Sequence, residues 1–143
     1  MPTGRAARAR AGVLAVVSAG GALGAVGRDA LERAFGHQRG GLPWATFAIN
    51  VSGCLLIGVL MVGIERLPAH RLARPFLGIG VLGGFTTFST QAVEARRLAG
   101  SGAVGPAVGY LAGTLLAALG AVWVGSTATL ALLRAGRRRR GAR

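Results

Sequence analysis

Between positions 83 and 90 the chain reads Gly-Gly-Phe-Thr-Thr-Phe-Ser-Thr, two helix-weakening glycines followed by four hydroxyls in an otherwise apolar run from Pro75 to Val93. Hydrocarbon offers no hydrogen bonds to backbone that leaves the helical ladder, so this segment must face protein or water, and its freed carbonyls suit a cation. A bound cation near Gly83 to Thr86 is one expectation. The competing one is packing alone, with the hydroxyls bonding back onto the preceding turn and the glycines letting helices approach.

A second polar feature lies in Trp44 to Ile64, where Thr46 and Asn50 are four residues apart and share a helix face, with Gly53 just beyond. An amide inside an apolar span needs a partner, and its plain role is to join two helices. Hydroxyl and amide donors in a stripe that carries no acid suit an anion. The four acids, Asp29, Glu32, Glu65 and Glu94, are placed outside membrane depth; Glu65 and Glu94 close their spans beside Arg66 and Arg96, which predicts interfacial ion pairs. His37 and His70 fall in loops without a second ligand and are expected to be solvated. Cys54, the single cysteine, permits no disulfide and is expected to be a buried small hydrophobe. No nucleophile, base and orienter occur together, so an enzyme is not expected.

The elements that hold these residues are apolar runs of membrane-crossing length. Trp44 to Ile64 has no charge over about 30 Å of helix, with Trp44 as an interfacial anchor. Ala11 to Gly27 is a first span with helix continuing towards Phe35, although a basic head and short apolar core are also the signature of a signal peptide. Pro75 to Val93 is a third, broken span, and Ala103 to Leu133 a fourth, closed by Arg134. Of 143 residues 52% are hydrophobic, 6% aromatic and 25 are Gly, a mixture for closely packed membrane helices. The predicted organisation is a basic segment over 1–10, one transmembrane domain over 11–135 and a basic disordered tail over 136–143.

A net charge of +13 suggests nucleic acid until its distribution is considered. The arginines sit at the ends and in the gaps between apolar runs, at lipid headgroup level. With four spans both termini lie on one side, which carries twelve of the 17 arginines, against five in the 28–39 and 96–97 segments. The positive-inside rule then puts both ends in the cytoplasm of a multi-pass cell-membrane protein.

Three stretches resemble the signatures of the Fluc (CrcB) fluoride channels in order and spacing: Gly21-Ala-Leu-Gly-Ala-Val-Gly-Arg28, Asn50-Val-Ser-Gly53 with Gly58, and Gly80-Val-Leu-Gly-Gly-Phe-Thr-Thr-Phe-Ser-Thr90. The resemblance implies an all-α fold of four transmembrane helices with the third broken, and an antiparallel dimer of two chains with fluoride pathways along the interface. It implies a structural, untransported sodium ion on the backbone carbonyls of Gly83 and Thr86. Asn50 matches a pore asparagine and Phe88 the first of two pore-lining phenylalanines; Tyr110 and Thr114, one turn apart in the fourth span, match further pore positions. Thr46, Ser89 and Thr90 complete the expected pathway. Fluoride is small and strongly hydrated, so amides, hydroxyls and the positive edges of aromatic rings would have to replace its water.

The chain departs from the pattern at Gln91, where the second phenylalanine belongs. Gln91 either supplies an amide donor in its place or leaves that pathway degenerate. Twelve arginines against five also fix one orientation, which points to a heterodimer with a related chain of opposite bias, where the family alone implies a homodimer. The expected function is passive fluoride export that lowers cytoplasmic fluoride. The alternatives are a non-conducting structural subunit and a small dual-topology drug exporter, the last disfavoured because such a protein needs a carboxylate inside a span.

Overall fold

The computed structural model describes residues 4–35, 41–66 and 71–141. His37 and His70 lie outside them. The described residues form helices only: α1 Gly4–Phe35, α2 Trp44–Arg66, a π-helical segment Arg74–Leu82 running into one α turn Gly83–Phe85 (together α3), α4 Phe88–Gly100 and α5 Val104–Gly141. Four stretches are long and apolar enough to cross a membrane: Ala6–Phe35, Trp44–Arg66, Arg74–Gly100 and Val104–Arg139. The third comprises α3 and α4, joined by two extended residues.

Small residues decide how the helices meet. α1 packs along α3 through glycines on both sides: a Cβ built on Gly80 would lie 2.9 Å from the Cα of Gly20, and one on Gly24 would lie 2.8 Å from the backbone nitrogen of Phe85. The first helix is therefore a packed member of the bundle. α2 packs on α5 in the same way, with Gly58 against the backbone of Val122 and Ser126, and Gly125 against Leu55 and Val59. Backbone approach of this kind is how helices associate where lipid is as apolar as the side chains.

Two expectations about local structure change. Gly83 and Gly84 do not break the third span: Gly83 is in the right-handed helical region at φ −67°, ψ −34°, while Thr86 and Thr87 are extended at ψ 150° and 119°. The glycines serve packing, since a side chain on Gly84 would meet the backbone of Gly21. The disordered tail expected from Gly136 is instead helical to Gly141. Arginine is a good helix former, and its charge is favoured at a helix C-terminus.

Candidate functional site

The site is built at the break between α3 and α4. Thr87, with φ −144° and ψ 119°, holds its peptide groups as a strand does, out of reach of the helical ladder. Asn50 on α2 supplies what a neighbouring strand would: its Oδ1 accepts from Thr87 N–H at 2.8 Å and its Nδ2 donates to the Thr87 carbonyl at 2.9 Å. Nδ2 donates further to Oε1 of Gln91 at 3.4 Å. The Thr87 hydroxyl caps α4, accepting from Thr90 N–H at 3.2 Å while donating to the Thr90 hydroxyl at 3.0 Å.

These bonds fix which carbonyls are released. In an unbroken helix the N–H of residue 87 would bond the carbonyl of residue 83, and that of 90 the carbonyl of 86. Here the first goes to Asn50 and the second to the Thr87 hydroxyl. The break releases the carbonyls of residues 83 to 86 from their helical donors; those of Gly83 and Thr86 lose theirs to side chains, and Gly83 is exposed on the chain's surface. The carbonyl of Gly84 differs, because Arg28 Nε donates to it at 3.3 Å while the same guanidinium pairs with Glu32 at 3.4 Å. Arg28 thus supplies charge where the α3 dipole is negative.

One turn further along α4, Glu94 gathers the remaining polar groups. Its Oε1 accepts from the Thr46 hydroxyl and its Oε2 from the Tyr110 hydroxyl, both at 2.8 Å. The register is antiparallel, Thr46 meeting Glu94 and Asn50 meeting Thr87 and Gln91, a step of four residues on α2 against three on α4. Thr114 bonds its hydroxyl to the Tyr110 carbonyl at 2.7 Å. Thr46, Asn50, Thr87, Gln91, Tyr110 and Thr114 are all buried.

Glu94 overturns three expectations. It forms no ion pair with Arg96, and none joins Glu65 to Arg66 among the described residues. The stripe containing Thr46 and Asn50 is not free of acid, since Thr46 serves a carboxylate. A carboxylate also lies within a span, so the absence of one no longer counts against a drug exporter. Spacing would have found it, because Glu94 follows Gln91 by three and Thr90 by four on one face of a helix. Cys54, expected to be buried, is only half-buried.

Of the other expected residues, Ser89 and Thr90 line a vestibule of about 910 Å³ together with Trp44, Thr46, Glu94 and Arg97. Trp44 stands at its edge, packed edge-to-face on Phe47 at 5.6 Å. Phe88 is not packed in the core at all: it is 77% exposed, on the outside of this single chain. The structure gathers these residues into two hydrogen-bonded clusters, Asn50 with Thr87 and Gln91, and Thr46 and Tyr110 on Glu94 with Thr114 on the Tyr110 carbonyl, and leaves Phe88 outside both.

Fold and site together define a small four-span membrane protein with a non-helical joint in its third span, braced by an asparagine. The sequence profile of the family described as "CrcB-like protein, Camphor Resistance (CrcB)" matches residues 15–126, and the chain belongs to that family. It is 51% identical over 128 residues to the "Fluoride-specific ion channel FluC 1" of Streptomyces coelicolor, covering 89% of this chain and 83% of that one. It is 54% identical over 117 residues to the "Fluoride-specific ion channel FluC 2" of Nocardia farcinica, covering 81% and 84%. Identity to the "Fluoride-specific ion channel FluC" of Rhodospirillum centenum is 42% over 126 residues, covering 85% and 95%. All four candidate spans fall at least partly within the matched region.

Proposed function

We propose that this chain is a subunit of a fluoride-selective channel that exports fluoride passively across the cell membrane. The observation that carries the proposal is the joint at Thr86 and Thr87, where Asn50 holds the backbone open beside hydroxyl and amide groups. The chain's relatives of 42–54% identity are named fluoride-specific ion channels. Fluoride would pass along Thr46, Asn50, Phe88, Ser89, Thr90, Gln91, Tyr110 and Thr114, with the vestibule as its aqueous approach. The N–H groups that open α4 add positive potential there.

A sodium ion fits the carbonyls of Gly83 and Thr86. Hard cations take oxygen ligands, and these two oxygens have lost their helical donors. When bound, it would add a fixed positive charge next to the anion path. The same reading places two chains antiparallel across the exposed face carrying Gly83 and Phe88, with both termini of this chain in the cytoplasm. Twelve arginines against five favour a related chain of opposite bias as the partner.

The test is fluoride efflux from liposomes with this chain alone and with its nearest related chain. Efflux only with the pair supports the heterodimer; robust efflux from the single chain in both orientations refutes it; no efflux in either case refutes the channel. Replacing sodium by a large organic cation is expected to stop transport, and indifference to that exchange would count against Gly83 and Thr86.

A second reading, a non-conducting subunit that completes a partner's pores, is favoured by one observation: Asn50 already donates within the chain to both Thr87 and Gln91. Pairing this chain with a partner whose own pores are blocked distinguishes the two, since only a conducting subunit sustains flux.

A further inference from the structure

The two polar clusters spend nearly all their donors internally; the exceptions among the described residues are the Thr90 hydroxyl, which accepts from Thr87, and the more deeply buried side-chain nitrogen of Gln91. Asn50 gives Nδ2 to Thr87 and Gln91, Thr46 and Tyr110 give their hydroxyls to Glu94, and Thr114 gives its hydroxyl to Tyr110. Gln91 is 6% exposed, and its Nε2 donates to no group among the described residues. No buried side-chain nitrogen or oxygen among those residues lacks a partner, so this nitrogen is not sealed in and reaches accessible space.

Its direction is also determined. An amide's oxygen and nitrogen are ordinarily exchangeable by a half-turn, but here each atom is set by the one before it. A backbone N–H only donates and a carbonyl only accepts, so Thr87 fixes Asn50 with Oδ1 on its N–H and Nδ2 on its carbonyl. Nδ2 only donates, so Gln91 must present Oε1 to it and turn Nε2 away. The polarity of the strand-like joint is thus handed through Asn50 to a free N–H pair on Gln91.

We propose that Gln91 is an anion-binding residue of this chain, its amide N–H groups contacting the bare halide, and that Asn50 is a positioning residue that orients them. The proposal rests on the fluoride reading and deepens it. Phe88 lies three residues earlier on the same helix and is exposed, so its ring can offer a positive edge beside the amide. The nearest carboxylate, Glu94, has both oxygens occupied by hydroxyl donors, which disperses its charge. Neutral donors of fixed direction contact a small anion more strongly than a larger one, because it approaches the N–H more closely, and this offsets part of its larger dehydration cost.

Glutamine occurs twice in the chain, at Gln38 and Gln91, which permits a test without altering the site. Channel labelled with nitrogen-15 glutamine is titrated with sodium fluoride and, in parallel, sodium chloride, and Gln38→Glu assigns the two side-chain amide signals. The Gln91 signal is expected to shift saturably with fluoride and not with chloride. In liposomes, Gln91→Met, which lacks the donor, and Gln91→Glu, which keeps the acceptor for Asn50 but loses the donor, are expected to lower fluoride flux about tenfold or more. The fluoride-to-chloride flux ratio should fall as well. An unmoved Gln91 signal in folded protein, or Gln91→Met channels with unchanged flux and ratio, overturns the inference while leaving the channel reading standing. Wild-type protein that moves no fluoride, alone or with a related chain, overturns both.

Discussion

The two halves of the third span are held by opposite means. α3 lies against α1 backbone to backbone, glycine facing glycine, with Arg28 on the Gly84 carbonyl at its end. α4 lies against α2 and α5 through side-chain hydrogen bonds, Asn50 to Thr87 and Gln91, Thr46 and Tyr110 to Glu94. The first half is fixed by shape, and at Gly80 and Gly84 it leaves no room for an added carbon. The second is fixed by polar groups that an ion or water can also engage. A joint between a rigid half and a polar half keeps its carbonyls in place while leaving room for traffic beside it.

The largest effects should follow from adding volume to the shape-fixed half. Gly24→Val and Gly80→Val place carbon against backbone atoms that have no rotamer to yield, so the helices must separate. Neither variant is expected to give monodisperse protein on size exclusion. Gly63→Ala is the matching control, since nothing lies within 4 Å of a Cβ there, and exchanging glycine for alanine in a helix stabilises by about 1 kcal/mol. Folded Gly24→Val protein with normal elution would show that the two halves are not held differently.

Next in size is Asn50→Ala, which orphans the Thr87 N–H and carbonyl together, at about 1–3 kcal/mol for each group left without a partner. Fluoride flux is expected to vanish while assembly persists, because the α1 and α5 seams are untouched. Unchanged flux would remove Asn50 from the site. Asn50→Asp sharpens the result: it keeps an acceptor for the Thr87 N–H but gives up the donor to the carbonyl and to Gln91, so flux should still be lost.

The four spans were legible in the sequence because bilayer thickness sets a length that apolar runs must meet. The existence of a break was legible too, but its place was not. Gly83 and Gly84 looked like the weak point, yet a glycine packed on another helix can stay helical, and the break fell at Thr86 and Thr87, where Asn50 provides a strand-like partner. That partner is 37 positions away, so no local pattern reports it. Glu94 was misplaced for the reverse reason: its neighbour Arg96 suggested a surface pair, while its true partners, Thr46 and Tyr110, come from two other helices.

The smallest expected effect tests the polar half most finely. Tyr110→Phe keeps the ring and removes one hydroxyl, so Oε2 of Glu94 loses its donor while Oε1 keeps Thr46. Glu94 is only half-buried and lines the vestibule, so water can take the vacant position and the stability loss should be about 0.5–1.5 kcal/mol. Flux should drop by a few-fold rather than vanish, because less of the carboxylate's charge is then drawn away from an approaching anion. Glu94→Gln in the same background removes the charge, and flux should recover towards the wild-type value if repulsion is the cause. A Tyr110→Phe defect of equal size with and without Glu94→Gln would mean that the hydroxyl acts on the pathway independently of Glu94, and that the polar half works as separate contacts instead of one network.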